Sequence, residues 1–269
     1  MDMRSEHKKG RAFSLFAAIV MPLSLVIAWL IYAYVLGDPG NFVGGDPEKE
    51  PLQGNYLGTI HKGGPLVVLL IAFQVVLVAY IVERFLSIRR AAGRGGNHDF
   101  VLTVRDLIAE DRTDDAVKAC DEQQGSVANV VRSGIASLQH VERLEHLDRE
   151  RKTLLLQKDI EEATQLELPQ LNRNMIVIAT LASIATLIGM LGTVTGMIKA
   201  FAALARVGAP DAVGLASGIS QALVTTALGI STSAVAIVAY NYFTDKIDKL
   251  VYAIDESTFS IVNTFKSRS

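Results

Sequence analysis

The sequence predicts an all-α membrane protein with four transmembrane helices, of which the long ones continue into a helical domain in water. Three observations carry that prediction. Of 269 residues, 50% are hydrophobic and 20% charged, with mean hydropathy +0.31, whereas soluble domains carry roughly a quarter charged residues. Four apolar stretches have the length a helix needs to cross roughly 30 Å of hydrocarbon. Aromatic residues make up only 7%, while Ala, Gly, Leu, Ile and Val abound, as suits closely packed membrane helices. The formal charge of −2 gives no basic field to hold nucleic acid. A single cysteine, Cys120, excludes an intramolecular disulfide framework and any Cys-rich metal site.

The first stretch, residues 13–36, follows a basic N-terminus (1–12, with Arg4, Lys8, Lys9 and Arg11). It is too long for a usual signal-peptide core and lacks a clean small-x-small cleavage site, so it reads as an uncleaved helix. Pro22 should kink that helix without ending it. Residues 37–64 form an extracytoplasmic linker, rich in Gly and Pro up to Pro51 and carrying Asp38, Asp46, Glu48 and Glu50. The second span, 65–86, closes on Glu83 and Arg84, which either pair at the membrane boundary across helices or subunits or simply snorkel.

Residues 87–173 are expected to form a cytoplasmic helical domain. Leu102, Leu107, Val117, Val130, Val131, Ile135 and Leu138 give it intermittent helical periodicity. A further pattern from Leu154 to Leu171 (Leu156, Ile160, Ala163, Leu166) leads into the third span. The charged run from Glu142 to Lys152 reads as a solvated helix face. The third span, 174–199, and the fourth, 213–243, flank a short periplasmic turn, 200–212, with Arg206, Gly208, Pro210 and Asp211. Their apolar cores, Met175–Ile198 and Val213–Phe243, contain no Asp, Glu, Lys, Arg or His. In the C-terminal helix, 244–269, Phe243, Ile247, Leu250, Ile254, Thr258, Ile261 and Phe265 continue one stripe at helical spacing. Arg84, Arg89, Arg90 and Arg94, with Lys246, Lys249, Lys266 and Arg268, orient the bundle with both termini in the cytoplasm.

The hairpin of spans three and four carries the functional signal. Ala185, Gly189, Gly192 and Gly196 let a neighbouring backbone approach, and Gly218 and Gly229 repeat the theme on span four. Thr186, Gly189, Thr193 and Gly196 lie on one stripe; Gln221, Thr225 and Thr232 share a face of span four, with Thr226 and Ser233 beside it. Any one of these hydroxyls is most simply bonded to its own helix carbonyls. A hydroxyl- and amide-bearing band on both halves of one hairpin also suits a wettable, uncharged path if several copies surround an axis. Gln221 is the most polar group in that core; its simplest role is an interhelical hydrogen bond.

The run from Gly189 to Ile198 (Gly-Met-Leu-Gly-Thr-Val-Thr-Gly-Met-Ile) followed by Phe201 resembles the ExbB, TolQ and MotA proton-channel family, most of all ExbB. The segment Gly218 to Gly229, with Tyr240 and Asn241, is similar to the family's next helix, and Glu83-Arg84 to the pair after its first helix. The likeness covers three of the four spans, roughly Leu66 to Lys249; the first is an N-terminal addition. It implies a pentamer in the inner membrane around the single-span helices of an ExbD- or TolR-like dimer, whose membrane aspartate is worked by the proton motive force. It further implies service to a TonB-like protein that energises outer-membrane transport, without cofactor, metal or covalent chemistry. A TolQ-like envelope role or a MotA-like stator role are the family alternatives. Matched position by position, the family's pore threonines fall on Thr193 and Thr226; Gln221, Thr225 and Thr186 are further candidates for the path. Gln221 stands where many relatives carry Glu, and Thr186 and Val235 where relatives often carry Pro.

Other classes fit less well. A secondary transporter would show inverted repeats, broken helices and intramembrane charges. A membrane scaffold needs no hydroxyl band. No phosphate loop, nucleophile elbow or zinc-protease motif suggests an enzyme. His140 and His146 are spaced poorly for one helix face and read as surface residues, and Cys120 as a packed, reduced thiol.

Overall fold

The computed structural model describes residues 18–144, 146–205 and 211–267. The basic N-terminal residues Arg4, Lys8, Lys9 and Arg11, the start of the first stretch at Phe13, the turn residues Arg206, Gly208 and Pro210, and Arg268 lie outside the described residues. Nine helices account for most of the rest: α1 (Ala18–Leu36), α2 (Tyr56–His61), α3 (Pro65–Ala91), α4 (Asn97–Ala109), α5 (Thr113–Gln123), α6 (Gly125–Glu142), α7 (Arg149–Leu171), α8 (Met175–Leu204) and α9 (Ala212–Ser267). There is no strand among the described residues; one isolated bridge joins Phe42 and Pro51. Helices α1, α3, α8 and α9 contain the four candidate membrane spans, so the chain is an all-α membrane protein.

One unit gathers the described residues up to Val82 and Ile176–Tyr240. Pro22 does not end α1; the helix instead changes winding at Ile31–Leu36, where it becomes π-helical and Gly37 N donates to Tyr32 O at 2.9 Å. Its terminal carbonyls would otherwise lack donors. The buried Asn41 side chain supplies them, donating to Val35 O at 2.9 Å and Leu36 O at 3.1 Å, while its own oxygen accepts from Asn55 at 2.9 Å. Residues 37–64 are therefore more ordered than a Gly/Pro-rich linker would suggest. Phe42 is buried, Asn55 caps α2 through Gly58 N at 3.1 Å, and the His61 ring stacks on Tyr32 with centroids 4.4 Å apart. Ala28, Leu36, Val67, Ile71 and Ala72 form a core against which Val224 and Leu228 of α9 pack.

The second unit contains Glu83–Met175 and Asn241–Ser269. Its core is built from α4 to α7 and the far part of α9. The C-terminal stripe does what its spacing requires: Phe243, Ile247, Leu250, Ile254, Ile261 and Phe265 are all buried. A Cβ on Gly134 of α6 would stand 3.2 Å from Ile160 and 3.3 Å from Ile261, which shows how closely α6, α7 and α9 meet. Arg149 donates to the carbonyls of Phe265 (2.8 Å) and Lys266 (3.0 Å), placing a cation on the C-terminal end of α9 as the helix dipole favours.

Some faces differ from their sequence reading. Helix α4 buries Phe100, Val101, Val104 and Ile108, leaving Leu102 and Leu107 half-buried. In α7 the stripe holds at Leu156 and Ile160 but not at Leu166, which is 63% exposed. The run from Glu142 to Lys152 is not one helix face, because α6 ends at Glu142 and Asp148 starts α7 by accepting from Arg151 N at 3.0 Å. A side-chain cap of that kind outweighs continued helix propensity.

Candidate functional site

Helices α8 and α9 touch through glycine. A Cβ on Gly189 would lie 3.2 Å from Gly229 Cα, one on Gly196 would lie 2.6 Å from Gly218 O, and one on Gly229 would lie 2.6 Å from Ala185 O. One on Gly192 would lie 2.1 Å from Thr225 Oγ1. Larger residues would hold the two backbones apart. Small residues alone permit this approach, and in lipid such packing replaces the hydrophobic effect as the force joining helices.

That contact sets the hydroxyls. Thr193 Oγ1 and Thr226 Oγ1 are 2.5 Å apart, both half-buried. Thr226 also lies 2.9 Å from Ala222 O and 3.3 Å from Gly189 O, and Thr193 lies 3.3 Å from Gly189 O. Two hydroxyls carry two protons. One bridges the pair and the other reaches a backbone carbonyl, so the pair's remaining capacity is as acceptor. Thr225 is wholly enclosed and bonds Gln221 O (2.8 Å) and Ala222 O (3.1 Å) of its own helix. Thr232 bonds Leu228 O (2.7 Å) and accepts from Gln74 of α3 at 3.1 Å, whereas Ser233 crosses to Ala182 O at 2.5 Å. Thr186 is half-buried on α8, on the stripe of Thr193.

Gln221 has a partner the sequence reading missed. Helix α8 runs beyond Ile198, and Lys199 Nζ donates to Gln221 Oε1 at 2.8 Å. The amide is 5% exposed and does form an interhelical bond, but to a cation. The expected span reaches Lys199, but with its apolar core read as ending at Ile198 the sequence assigns that cation no partner. The register offered the missing signal: Lys199 follows Thr193 by six residues and Gln221 precedes Thr226 by five. An antiparallel hairpin that pairs the threonines therefore brings Lys199 beside Gln221. Gly64, at φ +74°, lies over this amide, and a Cβ there would stand 3.6 Å from Gln221 Cδ.

In the second unit, Glu83 and Arg84 pair with each other, by parallel bonds of 2.7 Å from Nε and Nη2. Arg84 is 1% exposed, so its guanidinium does not snorkel. Asn174, in left-handed backbone at φ 64°, donates to Glu83 Oε2 at 2.9 Å, and Arg84 reaches Leu171 O at 3.4 Å. The pair thus ties the end of α3 to the break between α7 and α8. Sequence reasoning singled out both residues but expected a pair across helices or subunits, not one between neighbours on α3, and it missed Asn174, whose role depends on a left-handed turn.

Residues 123–256 match the family described as the MotA/TolQ/ExbB proton channel family. An ExbB-like biopolymer transport protein of Synechocystis is 34% identical over 104 residues, covering 38% of this chain and 50% of its own length. The Tol-Pal system protein TolQ of Pseudomonas aeruginosa is 33% identical over 89 residues, 33% of this chain and 38% of its own. An ExbB homologue of Methanothermobacter thermautotrophicus is 22% identical over 205 residues, 75% of this chain and 68% of its own. The match thus spans half or less of the length of the first two relatives.

Proposed function

We propose, for a chain whose residues 123–256 form a domain of the MotA/TolQ/ExbB proton channel family, that it is an ExbB-like subunit of a proton-driven motor in the inner membrane. In this reading five copies surround a dimer of an ExbD-like protein, and the assembly energises a TonB-like protein for outer-membrane transport. The first and second spans pack outside a ring formed by α8 and α9, and both termini lie in the cytoplasm.

The observation that carries the proposal is the Thr193–Thr226 pair at 2.5 Å. Held by glycine contact, it presents acceptor lone pairs and no ionisable group. Such a surface suits a protonated carboxyl, which donates a hydrogen bond, better than a carboxylate, which cannot. It also suits a file of water. An intramembrane acid supplied by a partner could then cycle between a protonated form docked on the threonines and an ionised form facing water, each round drawing on the transmembrane potential at about 2.3 kcal/mol per charge per 100 mV. Thr186 extends the same face of α8. The enclosed Thr225 acts in the close packing behind it.

The similarity to TolQ, at 33% identity, supports a second reading in which the same motor works in envelope maintenance. Thr193→Val and Thr226→Val should abolish energised uptake while the detergent-solubilised complex keeps a pentamer's mass. Normal uptake in both variants would overturn the path assignment. If uptake of every outer-membrane cargo survives deletion of the chain and the envelope leaks, the TolQ-like role holds instead.

A further inference from the structure

We propose that a cavity at the α8–α9 hairpin end binds the phosphate of a membrane phospholipid, and that the segment N-terminal to the family-matched region builds half of that site. The cavity has a volume of about 550 Å³ and is lined by Tyr32, His61 and Lys62 from the N-terminal segment and by Lys199, Asp211 and Gln221 from the hairpin. The polar groups that meet there are chiefly donors. Gln221 is 5% exposed as a residue and accepts from Lys199 on its oxygen, which leaves its Nε2 donors for the cavity it lines. Lys199 uses one ammonium proton on that bond, and Lys62 uses one on Glu48 O at 2.8 Å. Each ammonium carries three. The acidic member of the lining, Asp211, caps α9 by accepting from Gly214 N at 2.8 Å. Two ammonium groups and an amide N–H pair open to the cavity call for an anion with several acceptor oxygens.

Depth selects a lipid as its source. The lining residues come from the ends of helices long and apolar enough to cross a bilayer: Tyr32 from the last turns of α1, Lys199 from the last turns of α8. Trp29 and Tyr34 form an exposed edge-to-face pair on α1, of the kind that marks headgroup level. Clustered lysine charge at headgroup level attracts the phosphate of an anionic lipid by roughly 1 kcal/mol per cation, and here Lys62 and Lys199 line one cavity. The site does not rest on the channel reading, since retention of lipid is measured without transport.

The test is native mass spectrometry of the full chain in detergent, with phosphatidylglycerol, phosphate-free diacylglycerol and inorganic phosphate as separate probes. Phosphatidylglycerol should stay bound in preference to diacylglycerol, and inorganic phosphate should bind far more weakly than the lipid. Lys62→Gln and Lys199→Gln should each lower lipid retention by about five-fold, with Lys158→Gln on α7 unchanged. Helicity and melting serve as the check on folding, and if Lys199→Gln does not fold then Lys62→Gln alone decides. Equal retention of diacylglycerol, inorganic phosphate binding as tightly as the lipid, or unchanged retention in the lysine variants would each overturn the proposal.

Discussion

A hydroxyl in a membrane helix has a local acceptor always at hand, the carbonyl a turn earlier, and most hydroxyls of this hairpin take it. Thr180, Thr195, Ser231 and Thr232 do so, as does the enclosed Thr225. Thr193 and Thr226 differ in also facing each other. Their stripe was legible in the sequence, because period and small neighbours fix which face meets the partner helix. The family resemblance singled out these two residues, but that their hydroxyls touch is read only from the structure. Lys199 was legible as the end of the third span, but its bond to Gln221 was not, because hydropathy says nothing of where a long side chain finds an amide. Two further groups make predictions at this scale. Burial pushes the Cys120 thiol up to about 12. At pH 8 the folded protein should react with an aqueous thiol reagent on the order of a hundred-fold more slowly than the unfolded chain, as timed labelling with and without denaturant will show. Burial first, and then the Lys62 charge, hold the His61 imidazole below its ordinary value. The unfolded chain therefore takes up a proton at higher pH than the folded one. The stabilisation is complete above about pH 6.5 and is lost as pH falls through that value toward the folded one. Melting curves from pH 8 to 5 should show this loss, and His61→Phe should reduce it.

Among elements, the α8–α9 contact is the most demanding, because it is made of backbone. Gly192→Ala would drive a methyl group onto Thr225, at 2.1 Å before any movement. Overpacking of this kind costs about 1–3 kcal/mol, so the variant should melt earlier than the native protein in detergent. An unchanged melting point would mean that the helices are not held as closely as described. The joint between α7 and α8 depends on a different device. Arg84→Met leaves Glu83 and Asn174 without the guanidinium; breaking a fully buried pair costs about 3–5 kcal/mol, and the partly exposed Glu83 should reduce that to about 2. Chemical unfolding of this variant measures the loss. Helix identities and the C-terminal stripe were readable from sequence because long periodic patterns leave one burial face. The short helix α4 was readable as a helix but not in rotation: Leu102 and Leu107 compete with Val101, Val104 and Ile108, and tertiary packing chose the latter. The order in residues 37–64 was hidden as well, since it comes from one asparagine satisfying the carbonyls of a π-helical end.

For the whole molecule, composition alone announced a membrane protein, and the four candidate spans agree. Each unit explains its own sequence: apolar residues exposed on α8, such as Leu187, Met190 and Val194, need lipid or other copies to cover them, while the second unit closes its core around the α9 stripe. The central claim is that copies assemble with Thr193 and Thr226 toward a shared aqueous path. It is tested most directly by cysteine accessibility in native membranes, on a Cys120→Ser background. Thr193→Cys should react with a small charged thiol reagent, and Val194→Cys, at 57% exposure on the neighbouring face of α8, should remain unlabelled in lipid. Labelling of Val194→Cys with Thr193→Cys untouched would contradict the account.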